Sequence, residues 1–424
     1  MNGLDKRCKS IFKTYIGLPN EVYILFIGKM INCIGAFIHP LLTLILTQKI
    51  GLSIKEAGVF VTISAIAQAP CILIGGKLVD YIGRKKVIVI FQTIASSIFL
   101  VCGIINPSKV LAILIIFASC FSSIANPAYD SIVGDITNEK NRKASFSLIY
   151  MGLNLGFAIG PVLGGMLFQN HFNLIFIGDA ATTLLSVTLI GLFVRETNPK
   201  FIETNEKYEN KSLEAEEDGS VFQVLVKRPI LIYYSIIMIT FNFAYAQWGF
   251  AIPIKLEELF GTLGAKYFGI LGGCNGIIVI IATPILIFIT RKFKIIKVIS
   301  SGGLLYALAF LICSFSSKLV SFYIVIILIT IGEVAVATNS GTFVTNLTPK
   351  SHRGRVNSII PLIYGIGNAL GATIMGNLIE YMGINEAFLV VSVVAGIGGI
   401  AMYCLNYVDI NYDFEKKKDR ALAN

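Results

Sequence analysis

Charged residues are scarce in this sequence, and their scarcity decides its class. Aspartate, glutamate, lysine and arginine make up 14% of the 424 residues, whereas soluble domains carry about 25%. Hydrophobic residues make up 55% and recur in runs of about 20 residues, the length of a helix that crosses a bilayer. A transmembrane β-barrel is excluded because its strands alternate in polarity. The sequence therefore predicts an all-α, multi-pass membrane protein.

Several signatures of chemistry are also missing. The eight cysteines contain no C-x-x-C pair, and seven of them lie in apolar runs, so neither a disulfide framework nor a metal site is expected. There is no phosphate-binding loop, zinc signature or hydrolase elbow. No small-residue cleavage site follows the first apolar run, so no cleaved signal peptide is expected. We therefore predict a protein that is not an enzyme and uses no cofactor.

The apolar runs predict twelve spanning helices, at residues 21–47, 55–79, 87–105, 109–133, 145–168, 173–194, 229–252, 266–290, 297–315, 319–345, 356–380 and 386–407. A charged segment without apolar periodicity separates the sixth run from the seventh. The predicted organisation is an N-terminal tail, a six-helix bundle, a linker, a second six-helix bundle and a C-terminal tail, at 1–20, 21–194, 195–228, 229–407 and 408–424.

The positive charge is distributed unevenly between the two sets of loops. One set, together with both tails and the linker, carries 27 of the 35 lysines and arginines, and the other set carries 6. Basic loops stay on the cytoplasmic side. We therefore expect a cell-membrane protein with both termini in the cytoplasm, and the net charge of +10 needs no nucleic-acid partner. The richness in isoleucine, lysine and asparagine predicts a bacterial source.

An internal repeat appears at an offset of 211 residues, and it needs no gap over more than a hundred positions. Two six-helix halves that start from the same side of the membrane form a parallel repeat, with a substrate path between the halves. The matched pairs include Gly58 and Gly269, Arg142 and Arg353, Gly156 and Gly367, Gly160 and Gly371, and Gly165 and Gly376.

A polar turn between the second and third runs carries the pattern Gly76, Asp80, Gly83, Arg84. The pattern resembles the loop between helices two and three of the major facilitator superfamily. That resemblance implies the major facilitator fold and a cytoplasmic latch, in which Asp80 and Arg84 join Asp135 at the end of the fourth helix. The alternative is an ordinary basic turn.

The fifth run carries glycine at every fourth position, so that a neighbouring helix can pack closely. Its pattern resembles the fifth-helix signature of the drug:proton antiporters of the superfamily. The alternative is generic packing of small residues. The fourth run departs from that branch because it lacks the arginine that is often found there. The motif comprises Gly152, Gly156, Gly160, Pro161, Gly164 and Gly165.

Ionisable side chains inside the bilayer cost about 2.5–3.5 kcal/mol at a helix centre and are functional candidates by default. Glu333, in the tenth run, is the first candidate for a proton carrier, and Asp179, in the sixth run, is the second. His39 and Asp130 are further candidates. The alternative for Glu333 is a buried hydrogen bond that orders helix packing, and for His39 a fixed hydrogen bond or, with Pro40, a kink. For Asp130 it is a structural capping partner.

Aromatic and amide side chains within the runs are candidates for a substrate cavity, since they offer stacking and cation–π contacts to an apolar or cationic compound. Trp248 fits a membrane-interface position equally well. The candidates are Asn32, Asn242, Tyr245, Trp248, Tyr364 and Asn368.

The resemblance implies a proton-coupled secondary transporter that works by alternating access, powered by the proton gradient. We expect an efflux antiporter for drugs or small amphipathic compounds, functional as a monomer, whose partners are its substrate, protons and the lipid bilayer. One alternative is an uptake symporter or uniporter for a sugar or metabolite. The other is a membrane sensor or scaffold that does not transport.

Overall fold

A computed structural model describes residues 15–138, 141–198, 228–348 and 353–422. Most of the predicted N-terminal tail and linker lies outside these ranges. The described chain is helical between short connections. In its described ranges it forms the following spans: α1 Asn20–Lys49, α2 Ile54–Ile82, α3 Arg84–Cys102, α4 Lys109–Ile136, α5 Arg142–Leu167, α6 Phe172–Phe193, α7 Pro229–Phe260, α8 Gly264–Thr290, α9 Ile295–Phe315, α10 Leu319–Leu347, α11 Arg353–Met382 and α12 Ile384–Leu422.

Eleven continuous helical stretches in the described residues are long and apolar enough to cross a membrane. The stretch Pro229–Thr290 has 62 residues and contains both α7 and α8, joined by the 3₁₀ turn Gly261–Leu263. Counting these two helices separately accounts for the twelve predicted spans. The prediction of an all-α membrane fold is confirmed.

The first span is interrupted. It consists of the α-helices Asn20–Ile34 and Ile38–Leu44 and a π-helical turn, Ile45–Lys49. Pro40 lies in the first turn of the second segment, where its missing N–H needs no helical partner. A carboxylate oxygen of Asp179 accepts a hydrogen bond from the Ile38 N–H at 3.5 Å. The sequence predicted one span over residues 21–47 with His39 and Pro40 as a candidate kink, and the structure places the interruption just before them, at residues 35–37.

The chain divides into two compact units. Unit 1 comprises Met1–Leu52, Ile63–Lys207 and Leu256–Ile277. Unit 2 comprises Ser53–Thr62, Tyr208–Lys255 and Ile278–Asn424. Each unit is therefore one sequence half with a short exchange: the end of α7 and the start of α8 belong to unit 1, and the start of α2 belongs to unit 2.

In unit 1, α5 packs through two glycine-bearing faces. Along the first face, Gly152, Gly156, Gly160 and Gly164 lie against α1. A Cβ on Gly156 would lie 2.6 Å from the Met30 carbonyl oxygen, and a Cβ on Gly160 would lie 2.5 Å from that of Cys33. Distances this short to backbone atoms show that only glycine fits. Four members of the fifth-helix motif thus hold α5 against the interrupted helix.

The second face of α5 packs against the start of α8. A Cβ on Gly165 would lie 2.5 Å from the Ala265 carbonyl oxygen. A Cβ on Gly269 would overlap the Pro161 carbonyl oxygen. The remaining two motif residues, Pro161 and Gly165, therefore serve this second contact.

Unit 2 repeats the second contact with the residues that lie 211 positions away. A Cβ on Gly58 would overlap the Ala372 carbonyl oxygen, and one on Gly376 would lie 3.0 Å from the carbonyl oxygen of Ile54. The repeat seen in the sequence is thus present as matching backbone contacts in both units. The corresponding pairs are Gly58 and Gly269, Ala372 and Pro161, Gly376 and Gly165, and Ile54 and Ala265.

Candidate functional site

The polar turn between α2 and α3 forms a compact ionic cluster in unit 1. Arg84 donates from Nε to Asp135 Oδ2 at 3.0 Å, and its Nη1 lies 3.5 Å from Asp80 Oδ1. Nη1 also donates to the Val79 carbonyl at 3.2 Å. The Arg84 side chain is 12% exposed, whereas that of Asp80 is 71% exposed. The three residues predicted as a latch are therefore together, with the arginine at the centre.

Three residues after α6 complete this cluster, and the sequence reasoning missed them. The carboxylate of Glu196 accepts hydrogen bonds from the backbone N–H groups of Arg84 and Lys85, at 2.9 and 3.2 Å. These are donors at the start of a helix, which have no intrahelical partner. Thr197 donates to Asp135 at 2.8 Å, and Asn198 donates to the carbonyls of the α2 end. An acid directly after a spanning helix on the basic side was the available signal.

The glycines of the turn have different roles. Gly83 has φ = 105°, a left-handed conformation that L side chains rarely adopt. A Cβ on Gly83 would also lie 2.5 Å from Glu196 Oε2. Gly76 has no atom within 4 Å of such a Cβ, while one on its neighbour Gly75 would overlap the Ile124 carbonyl of α4. The close approach of α2 and α4 therefore depends on Gly75, which the motif does not include.

Unit 1 contains a polar cavity of about 290 Å³ between its helices. Asp179, His39 and Asn32 line it, together with Gln68 and several serines. Asn32 donates to Thr183 Oγ1 at 2.8 Å, and Asp179 is 9% exposed. Two predicted proton-carrier candidates and one predicted cavity residue thus share one chamber.

A second cavity of unit 1, of about 420 Å³, contains both a cation and an acid. Lys29 of α1 and Asp130 of α4 line it with Tyr129, Tyr150 and Asn126. The Lys29 Nζ atom lies 5.1 Å from the centre of the Tyr129 ring, within the range of a cation–π interaction. Asn126 lines both cavities of unit 1.

Unit 2 contains a cavity of about 370 Å³ around Glu333. Its wall includes Tyr245, Tyr306, Tyr364 and Asn242. The rings of Tyr245 and Tyr306 lie 6.1 Å apart. One carboxylate among aromatic rings is a suitable environment for an organic cation. The structure thus brings the first proton-carrier candidate together with three of the predicted cavity residues.

The unit 2 cavity and the cavity around Lys29 are repeat-related. The repeat therefore supplies one cavity of the same origin in each unit, and their charged groups differ. At the offset of 211, four lining residues of one cavity correspond to four of the other: Asn126 to Ala337, Tyr129 to Ser340, Asp130 to Gly341 and Leu153 to Tyr364.

Two predicted cavity residues stand apart from these groups. Trp248 is buried, at 8% exposure, and Asn368 is exposed. Neither is among the residues that line the unit 2 cavity. Lys255, predicted to lie in a loop, is instead buried in α7 and donates to Asn385 Oδ1 at 2.7 Å.

Spanning helices that enclose polar cavities, in two repeat-related sets, define a class of protein: the multi-pass carriers of small molecules. The sequence profile described as Major Facilitator Superfamily matches residues 25–332 and 263–420. The chain belongs to the Major Facilitator Superfamily, and it is a transporter rather than an enzyme. The resemblance to the superfamily is confirmed.

The sequences of several bacterial transporters align with most of the chain. An MFS-type transporter of Bacillus subtilis, YttB, is 27% identical, over 88% of this chain and 91% of its own length. Multidrug resistance protein 1 of the same species is also 27% identical, over 90% and 93%. A Na(+), Li(+), K(+)/H(+) antiporter of Planococcus maritimus is 24% identical, over 85% and 90%.

Solved structures share the fold. A POT family transporter in complex with 5-aminolevulinic acid superposes with a TM-score of 0.75 at 16% identity, over 92% of this chain and 96% of that one. The nucleoside transporter NupG superposes with a TM-score of 0.74 at 14% identity, over 91% and 100%. At these identities the likeness concerns the fold alone.

Proposed function

We propose that this transporter is a proton-coupled antiporter that exports small amphipathic compounds, including organic cations. The observation that carries the proposal is the unit 2 cavity, where Glu333 lies among Tyr245, Tyr306 and Tyr364. The similarity to Multidrug resistance protein 1 supports the same substrate class, and the fifth-helix glycine motif supports the antiporter branch.

The chemistry of the cavity suggests how protons and substrate compete. An ionised Glu333 attracts an organic cation, and the aromatic rings add stacking and cation–π contacts. When Glu333 takes up a proton, the charge attraction disappears and the cation is released. Proton and substrate then bias one equilibrium between two access states in opposite directions, as coupling requires.

Liposomes that contain the purified protein test this proposal. A pH gradient is imposed, a panel of lipophilic cations such as tetraphenylphosphonium and ethidium is added, and the proton flux is recorded. We expect substrate-induced flux in the wild type and its loss in Glu333→Gln. The matched control is Glu386→Gln, an exposed acid at the start of α12, which should keep normal flux. Absence of flux in the wild type would reject the antiporter proposal, and normal flux in Glu333→Gln would reject the role of that residue.

A second candidate function is the exchange of alkali-metal cations for protons. It is favoured by the polar cavity of unit 1, where Asp179 lies among amide and hydroxyl oxygens. The buried Ser96 hydroxyl in its wall has no hydrogen-bond partner among the described residues. The similarity to the Na(+), Li(+), K(+)/H(+) antiporter points the same way.

The same liposomes distinguish the two functions. Sodium, lithium or potassium replaces the lipophilic cations, and Asp179→Asn replaces Glu333→Gln. Proton flux that responds to alkali-metal ions and disappears in Asp179→Asn favours the second function. Flux that responds only to lipophilic cations favours the first.

We further propose that the protein functions as a monomer in the cell membrane, with both termini on the cytoplasmic side. The excess of lysine and arginine on one set of loops supports the orientation. Terminal reporter fusions that are active only in the cytoplasm test the orientation. The mass of the purified protein in nanodiscs tests the monomeric state.

A further inference from the structure

Lys29 is a cation within a membrane-spanning helix, and among the described residues no carboxylate lies within 4 Å of its ammonium group. Among the described residues it donates no hydrogen bond and forms no ion pair, and its contact is the Tyr129 ring at 5.1 Å. A charge within the bilayer is costly unless it is paired or serves a ligand. Lys29 therefore needs an explanation beyond helix packing.

Lys255 shows how a structural lysine is accommodated in the same chain. It is 3% exposed, and its ammonium donates to Asn385 Oδ1 at 2.7 Å. Lys29 is only half-buried and faces a cavity of about 420 Å³. Asp130 lines the same cavity, yet the two side chains form no ion pair. The ammonium thus remains available to a molecule that enters the cavity.

The rest of the wall suits an organic ligand with a carboxylate. Phe146 and Tyr150 offer aromatic surface, and Asn126 offers amide N–H groups that an anion accepts. A lysine ammonium has three donors for a carboxylate, and such charge-assisted hydrogen bonds are about twice as strong as neutral ones. The repeat-related cavity of unit 2 has Glu333 among its aromatic rings and no lysine or arginine among the described residues of its wall.

We propose that the Lys29 cavity is a binding site for the carboxylate group of small aromatic compounds. The Lys29 ammonium binds the carboxylate, and Tyr150 and Phe146 contact the ring. Asp130 opposes a simple anion at this site through its own negative charge. This inference rests on the proposed function in naming a substrate class of the same transporter, which then includes aromatic carboxylates as well as organic cations.

Equilibrium binding to the purified full-length protein in nanodiscs tests this inference without a proton gradient. The probe is dansyl-glycine, and its neutral counterpart is dansyl-glycinamide, both followed by fluorescence with empty nanodiscs as background. Benzoate, salicylate and indole-3-acetate serve as competitors. The wild type should bind dansyl-glycine at least about tenfold more tightly than the amide, as expected for a hydrogen bond to a charged group.

Variants separate the charge of Lys29 from its contribution to folding. Lys29→Met should reduce dansyl-glycine affinity to that of the amide, whereas Lys29→Arg should keep it within about threefold. The matched control is Lys109→Met, an exposed lysine at the start of α4 in the same unit, which should bind as the wild type does. Asp130→Asn should bind the carboxylate at least as tightly as the wild type.

Three results would overturn the inference. These are a wild type that does not prefer the carboxylate, a folded Lys29→Met that binds dansyl-glycine normally, and a loss of carboxylate binding in Asp130→Asn. Because the assay measures binding alone, its failure is distinguishable from a failure of proton coupling, which the liposome flux reports.

Discussion

The two units use the same helix packing but contain cavities of different charge. In unit 1 the Pro161 carbonyl meets Gly269, and in unit 2 the repeat-related Ala372 carbonyl meets Gly58. The repeat-related cavities, by contrast, contain Lys29 with Asp130 in one unit and Glu333 among tyrosines in the other.

The two kinds of position differ in the space that is available to a side chain. A carbonyl oxygen packed directly against the backbone of a glycine excludes every side chain, so the glycine must recur wherever that packing recurs. A cavity residue projects into open volume, where size and charge are free to differ between the copies. Packing positions thus preserve the repeat, and cavity positions carry the specialised chemistry.

The largest effect is expected from replacing the cation of the Lys29 cavity with an acid, so that this cavity, like that of unit 2, has only acidic charges. Lys29→Glu places a second acid beside Asp130, so attraction of a carboxylate becomes repulsion. We expect dansyl-glycine affinity to fall by about a hundredfold or more, because like charges in an interior cost several kcal/mol. Fluorescence binding measures the change, with Lys29→Gln as the neutral intermediate. Equal affinities for the two variants would contradict the charge argument.

A smaller effect is expected from the ionic cluster, which lacks a counterpart acid in the second half because Arg291 stands at the offset position of Asp80. Arg84→Ala leaves Asp135 without its cation, and we expect transport to fall by about tenfold while membrane insertion stays normal. Asp80→Asn should have a weaker effect, because that side chain is 71% exposed and its contact is the longer one, at 3.5 Å. Efflux rates and membrane-fraction blots measure both. Unchanged transport in both variants would exclude a latch.

The glycine contacts that the two units share should lose similar stability when the glycine is replaced by alanine. Gly58→Ala and Gly269→Ala each place a methyl group against a backbone carbonyl, at a cost of about 1–3 kcal/mol for overpacking. Gly365→Ala is the matched control, since its Cβ meets no atom within 4 Å and gains about 1 kcal/mol of helix propensity. Thermal unfolding in detergent should show a lower Tm for the first two variants and no decrease for the third. A large difference between Gly58→Ala and Gly269→Ala would show that the packing is not equivalent.

The smallest effect is expected at the surface of unit 2. The Lys55–Glu380 ion pair is 3.7 Å long, and its side chains are 52% and 55% exposed, so it contributes about 0–1 kcal/mol. Lys55→Gln should leave Tm unchanged within about a degree. Lys255→Gln, which removes a buried ammonium and its hydrogen bond to Asn385, should lower Tm clearly. A reversed order would show that exposure does not decide the strength of these contacts.

Much of the fold was readable from the sequence. Runs of apolar residues predict spanning helices reliably, because a bilayer requires about 20 of them per crossing and an internally hydrogen-bonded backbone. The ionic turn was also readable: Asp80 and Arg84 are four residues apart, and the resemblance to the superfamily's loop motif implied Asp135 as their partner. Glu196 was missed because its partners are backbone N–H groups more than a hundred residues away, which no side-chain pattern reveals.

The amino-acid sequence by itself determined the class of protein, the helices, the repeat and the family, since each depends on local composition or on fixed spacing along the chain. Only the tertiary structure decided which buried charges share a cavity. Glu333 and Tyr364 come from different helices, as do Lys29 and Asp130, and their grouping follows from which helix faces meet. It also decided which group accepts the backbone hydrogen bond at the break in α1, where a carboxylate oxygen of Asp179 in α6 accepts from the Ile38 N–H. Spacing along one helix cannot specify the neighbour that lies across from it.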